Sequence, residues 1–288
     1  MLATSREGRD QGIMPDHLIL VSDTMGSYGD QFAHARLHKR FDLPDNRAFI
    51  LAADQIDRAA ELVSMIESRL SQFPVTSRTY GQTKQAICEA CYFYKAELFK
   101  QTVLPRLRLP PEVFDPRVTP LEVRADLQEE WEKFGIGCDL LVGTFDHRGL
   151  AALTVVDGAE GTASSWNFPG FTAIGSGAPN ALFWLSHRAH TLGMTPPRAL
   201  YHAYEAKVMA EDAPNVNDQT DVLVANAENN WNCTSHASLA NRAKVPEFPL
   251  ESLADLFEKC KPGDTSELDA LTQRLVKPSV PQKSEDQR

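Results

Sequence analysis

Asp139-Leu140-Leu141-Val142-Gly143-Thr144-Phe145 and Leu150-Ala151-Ala152-Leu153-Thr154-Val155-Val156 are two apolar runs separated only by Asp146-His147-Arg148-Gly149. Four turn-forming residues between two β-prone runs predict an antiparallel hairpin, because a parallel pair needs a far longer crossover. Working outward, Leu18-Ile19-Leu20-Val21, ending at Ser22-Asp23, reads as the first firm strand, and Ala48 to Ala53 as a second. Between them Thr24 to Asp30, with two glycines, suits a turn or mobile loop. After Asp54 the apolar spacing of Ile56, Ala60, Val63 and Ile66 predicts a helix over roughly 55–71, and a second helix runs from about Thr83 to Leu104. Beyond the hairpin come a strand at Phe171–Ile174, helices at about Asn180–Thr191 and Pro197–Glu211, and a strand at Asp221–Ala225.

Helices in consecutive pairs between antiparallel strands argue for α+β layering rather than a doubly wound parallel sheet. Two antiparallel sheets stacked face to face, with a helix pair outside each, bury every apolar face named. The Pro-rich stretch from Leu107 and a charged helix at Leu121–Phe134 read as an insertion at about 105–135, so residues 1–270 are expected to form a single domain. The polar, Pro-containing end, 271–288, is expected to be disordered. No internal repeat is visible.

Composition bounds the function. The 288 residues are 42% hydrophobic and 24% charged, which is globular, and a net charge of −10 disfavours a nucleic-acid partner. No run approaches the ~18 apolar residues of a membrane span. The first residues, MLATSREGRDQGIMPDH, lack the apolar core of a secretion signal. Five cysteines, an odd number, fit a reducing cytosol better than a disulfide framework, so a cytoplasmic protein is expected.

Four segments in order carry a family resemblance: LILVSDTMGSYGD; the Lys39-Arg40 pair, sixteen residues after Asp23; ILAADQIDRAAELVSMI; and CDLLVGTFDHRG with LTVVDGAEG and FTAIGSGAPNALFWL. A fifth, weaker one is Glu211-Asp212-Ala213-Pro214-Asn215 before DVLVA. Over about residues 18–225 the set resembles the proteasome-type N-terminal-nucleophile (Ntn) hydrolases, in their β-subunit-like branch. The resemblance implies a four-layer αββα sandwich, a homo-oligomer and, in active members, hydrolysis of a peptide or amide bond by an N-terminal Thr whose own amine is the base. It matches Asp23 and Lys39 to the carboxylate and lysine beside that nucleophile. Ser176, Asp212 and Asn215 fall at the accessory positions, Asn215 replacing the usual Ser. Ala53 stands where a Gly presents its backbone N–H to the oxyanion, and its methyl narrows the approach. No cofactor or metal is required by this chemistry.

The residues agree in part. A hydroxyl attacks poorly until a base takes its proton, and an α-amine of pKa near ~8 suits that task. A lysine held by a carboxylate stays charged, lowers the pKa of a neighbouring amine and steadies an oxyanion. Taken without the resemblance, Asp23 and Lys39 are equally a structural ion pair, or two charges that never meet. The chain starts Met1-Leu2-Ala3-Thr4-Ser5-Arg6-Glu7-Gly8 and offers no assured nucleophile. Three readings stand: an upstream start with residues 2–8 as the end of the first strand entering a turn, a catalytically silent assembly or interaction subunit, or cleavage before Thr4.

Other groupings have plainer explanations. Cys88 and Cys91 sit three apart in a helical pattern without a second ligand pair, so burial is expected over zinc. His187 and His190 lack an accompanying metal motif. Ala181, Phe183, Trp184, Leu185 and Leu192 suggest a core-facing stripe, and residues 226–232 a polar turn anchored by Trp231. Asn232-Cys233-Thr234 is a chance glycosylation sequon in a cytosolic chain. Gly175-Ser176-Gly177 lacks the lysine of a phosphate loop.

Overall fold

The computed structural model describes residues 2–5, 16–23, 25–28, 31–36, 39–45, 47–114, 125–167, 169–194, 196–217, 220–227 and 230–234. In chain order the strands are β1 Leu2–Ser5, β2 His17–Asp23, β3 Met25–Tyr28, β4 Gln31–Arg36, β5 Arg40–Asp42 and β6 Ala48–Asp54. Helices α1 Ile56–Leu70 and α2 Tyr80–Thr102 follow, then a 3-10 turn at Pro111–Val113 and α3 Ala125–Lys133. The second half runs β7 Cys138–Phe145, β8 Ala151–Asp157, β9 Thr162–Ser165, β10 Phe171–Thr172, α4 Ala178–His187, α5 Pro196–Ala210, β11 Thr220–Asn226 and β12 Asn230–Thr234.

Two five-stranded antiparallel sheets result, ordered β10-β1-β2-β11-β12 and β5-β6-β7-β8-β9. Period-two alternation builds the layers. Leu18 and Leu20 of β2 join Phe49, Leu51, Leu141, Leu153 and Leu223 in the core between the sheets. Their neighbours Ile19 and Val21 face α4 and α5, meeting Ala181, Leu185, Ala199 and Ala203. Ile50, Leu140 and Val142 turn to the other side, against Leu62, Ile66, Ile87 and Ala90 of α1 and α2. The chain is thus an α+β, four-layer αββα sandwich.

Local chemistry sets most boundaries. The hairpin forms at β7–β8, where Asp146 Oδ1 accepts the backbone N–H of Arg148 and Leu150 at 2.8 and 3.0 Å. Helix α2 begins three residues before its apolar pattern because Thr79 and Gln82 form a reciprocal capping box. The 105–135 segment packs on α2: the rings of Phe114 and Trp131 lie within 5.4 Å, centre to centre, of each other and of Phe99 in a satellite core, and Lys95 Nζ lies 4.8 Å from the Trp131 ring centre.

Several expectations are corrected. In the Gly-bearing stretch after Asp23, Met25–Tyr28 is a strand rather than a loop, and it pairs antiparallel with Gln31–Arg36 as β3 and β4. Polar Thr162–Ser165 forms the edge strand β9, and Asn230–Thr234 forms β12, so Trp231 belongs to a strand rather than a turn. On α4, Ala181 and Leu185 are buried one turn apart, but Phe183 points away and is 70% exposed. His190 lies beyond the end of α4, its ring 5.5 Å from Phe171 and 5.7 Å from His202. Cys91 is buried as expected, which pushes its thiol up to about 12, while Cys88 is half-buried. The expected tail at 271–288 lies outside the described residues.

Candidate active site

β2 delivers Asp23 to one end of the sandwich, and Lys39 reaches it from the other sheet. Lys39 Nζ donates to Asp23 Oδ1 at 2.8 Å, both side chains largely shielded from solvent. The Lys39 backbone is held where its carbonyl accepts the Ala52 N–H at 2.8 Å, just before β5. One residue on, Arg40 pairs with Asp221 of β11 at 3.3 Å.

The opposite wall is the turn from β10 into α4. Gly175 takes φ +82°, a left-handed conformation that suits glycine, in the turn between β10 and α4. Its carbonyl accepts the Ala178 N–H at 3.0 Å, and a Cβ on Gly177 would come within 2.8 Å of the Ala210 Cβ. Ser176 Oγ donates to the Pro214 carbonyl at 2.9 Å, tying this turn to the loop after α5. In that loop Asn215 takes φ 68°, which asparagine tolerates better than most side chains.

These walls enclose a cavity of about 80 Å³ lined by Asp23, Lys39, Ala53, Ser176 and Asn215. Asp212 is exposed on the same loop and does not line it. One residue that sequence reasoning passed over does: Lys207 of α5, almost wholly buried. Lys207 Nζ pairs with Glu211 and donates to the Asn217 carbonyl at 2.8 Å, bracing the loop that carries Asn215. Its sequence signal, a Lys in the last turn of a helix with Glu four residues on, is what an ordinary solvated helix end also gives.

β1 lies between β10 and β2, with Leu2 opposite both Thr172 and Leu20. Thr4 stands opposite Leu18, five residues back from Asp23 along β2, about 17 Å at the usual strand rise. Among the described residues no group of three or more His, Cys, Asp or Glu side chains is arranged to hold a metal ion. The arrangement gathers two cations, their carboxylates, a hydroxyl and an amide at the head of β1, which suits charge stabilisation during attack on a carbonyl.

No family model and no curated protein matches the chain. Among solved structures it resembles eukaryotic HslV from Trypanosoma brucei, with a TM-score of 0.50 and 19% identity over 78% of this chain and 98% of that chain. Among the described residues no helix is long and apolar enough to cross a membrane. With its two stacked antiparallel sheets between helix layers, the chain has the fold of the proteasome-type Ntn hydrolases.

Proposed function

We propose that this protein is a proteasome β-subunit-like hydrolase of peptide or amide bonds, acting in the cytoplasm as a homo-oligomer. The observation that carries the reading is the shielded Lys39–Asp23 pair lining a cavity at the head of β1. Leu2 faces Leu20, so in the same register a residue three positions before Leu2 would face Asp23. The same count from Thr172 opposite Leu2 brings it to Gly175, next to Ser176. A threonine there would be the nucleophile.

In this reading the α-amine takes the Thr Oγ proton as Oγ attacks the substrate carbonyl carbon. Lys39, oriented by Asp23, would lower the neighbouring amine's pKa and steady the developing charge. The Ala53 N–H, matched to the oxyanion donor, faces Asp139 of β7 in the ladder and would have to turn into the cavity to donate to the oxyanion. Collapse of the tetrahedral species breaks the C–N bond, the protonated amine returns its proton to the leaving nitrogen, and an ester remains. Water, deprotonated by the same amine, hydrolyses that ester and regenerates the threonine. Ser176 and Asn215 line the cavity beside the amine's expected position and would orient it. Asp212, matched to an accessory position, would act from outside the cavity.

A silent assembly or interaction subunit is the competing reading, favoured by exposed Asp212 and by the Pro214 carbonyl taking the Ser176 hydroxyl. The experiment is intact-mass and N-terminal sequencing of protein purified from its native source, followed by an epoxyketone probe. A threonine at the native N-terminus that takes one equivalent of probe, and loses this reactivity in Lys39→Met, supports the hydrolase. A folded native protein that takes no label at its N-terminal residue overturns it.

A further inference from the structure

Lys39 and Arg40 are consecutive, and each reaches across to a carboxylate on the facing sheet. Lys39 meets Asp23 at the end of β2; Arg40 Nη1 lies 3.3 and 3.4 Å from the two oxygens of Asp221 on β11. The acids are close neighbours on adjacent strands, because Thr220 pairs with Asp23 and Asp221 with Ser22. Two ion pairs therefore join the sheets, one through β2 and one through β11. Arg40 also grips its own strand: Nε and Nη2 donate to Asp42 at 2.9 and 3.3 Å. One planar guanidinium thus spans both carboxylates, a geometry that a lysine ammonium cannot reproduce.

The strand that carries this arginine is weakly held otherwise. β5 has three residues, stands at the edge of its sheet and, among the described residues, pairs only with β6. Asp221 is 4% exposed, and the Arg40 guanidinium is one partner of its buried carboxylate. We infer that Arg40 and Asp221 are positioning residues for Lys39: their ion pair pins edge strand β5 to β11 and so sets the Lys39 ammonium against Asp23. The inference rests on Lys39 being the site's cation, but its geometry exists whether or not the protein is a hydrolase.

Amine acetylation followed residue by residue with mass spectrometry tests it without requiring activity. In the full-length protein, Arg40→Gln and Asp221→Asn should each raise the acetylation rate of Lys39 relative to exposed Lys133 by about fivefold or more, an effect typical of residues coupled in one network. Arg40→Lys, which keeps the charge but not the fork, should fall between. The double variant should go no further than either single one. Buried Lys95, remote from the pair, reports global opening and should stay protected. An unchanged Lys39 rate in both Arg40→Gln and Asp221→Asn, or Lys95 and Lys39 opening together in all four variants, overturns the inference. The epoxyketone result tests the hydrolase reading separately, so either can fail alone.

Discussion

Gly175 and Ala53 meet beside the candidate site: a methyl group on Gly175 would lie 3.2 Å from the Ala53 Cβ. That approach is tight enough that one wall would have to shift, and Gly175 also holds φ +82°. Gly175→Ala should therefore destabilise the fold by ~1–2 kcal/mol from its left-handed backbone alone, with a smaller addition from the contact. Adding Ala53→Gly should recover only that addition. Urea unfolding of the single and double variants separates the two; full recovery in the double variant would mean that crowding, not backbone conformation, selects glycine here.

A buried histidine sets a pH window. His202 of α5 is buried, its ring 5.7 Å from His190 and 6.2 Å from Tyr201. Burial first, then the nearby Arg198 and Arg188, pushes its pKa down from 6.5 to about 4. Between those values the unfolded chain binds a proton that the folded chain refuses, so folding loses stability as pH falls. The contribution is fully present above the ordinary histidine value. It should diminish by about 2–3 kcal/mol on going down to pH 4, and below that change no further. His202→Leu should flatten this part of the stability profile measured by denaturant titration between pH 7 and 4.5. An identical slope in the variant would assign the acid loss to other groups.

Apolar alternation made the sandwich readable. Leu18 to Val21 sends one pair of side chains to the sheet–sheet core and one pair to the helices, and Leu140 to Val142 does the same. The edge strands β5, β9 and β12 escaped because a strand with hydrated neighbours needs no apolar face; Thr162-Ala163-Ser164-Ser165 has the composition of a loop. The Asp23–Lys39 contact is a different case. Nothing in a sixteen-residue separation says that two charges meet, and only the family resemblance suggested it. Lys207 was hidden for the converse reason: its burial comes from the loop that folds over α5, a tertiary event with no trace in helix periodicity.

The last prediction concerns the far side of the second sheet, where Arg78 joins the turn after α1 to the turn before β6. Its guanidinium pairs with Asp45 and donates to the carbonyls of Leu70 and Phe73 at 3.2 and 3.1 Å, while its own carbonyl accepts the His147 N–H at 2.9 Å. Arg78 Nε, also buried, has no hydrogen-bond partner among the described residues. Removing only the cation leaves a shielded carboxylate and two carbonyls without their donor. Arg78→Met should therefore cost about 3 kcal/mol. Because a shielded ion pair is worth little against an uncharged replacement, Arg78→Met with Asp45→Asn should regain a substantial part of that loss rather than add to it. Chemical denaturation of the two single variants and the double variant gives the coupling; strictly additive losses would show that Asp45 and Arg78 do not stabilise the fold through each other.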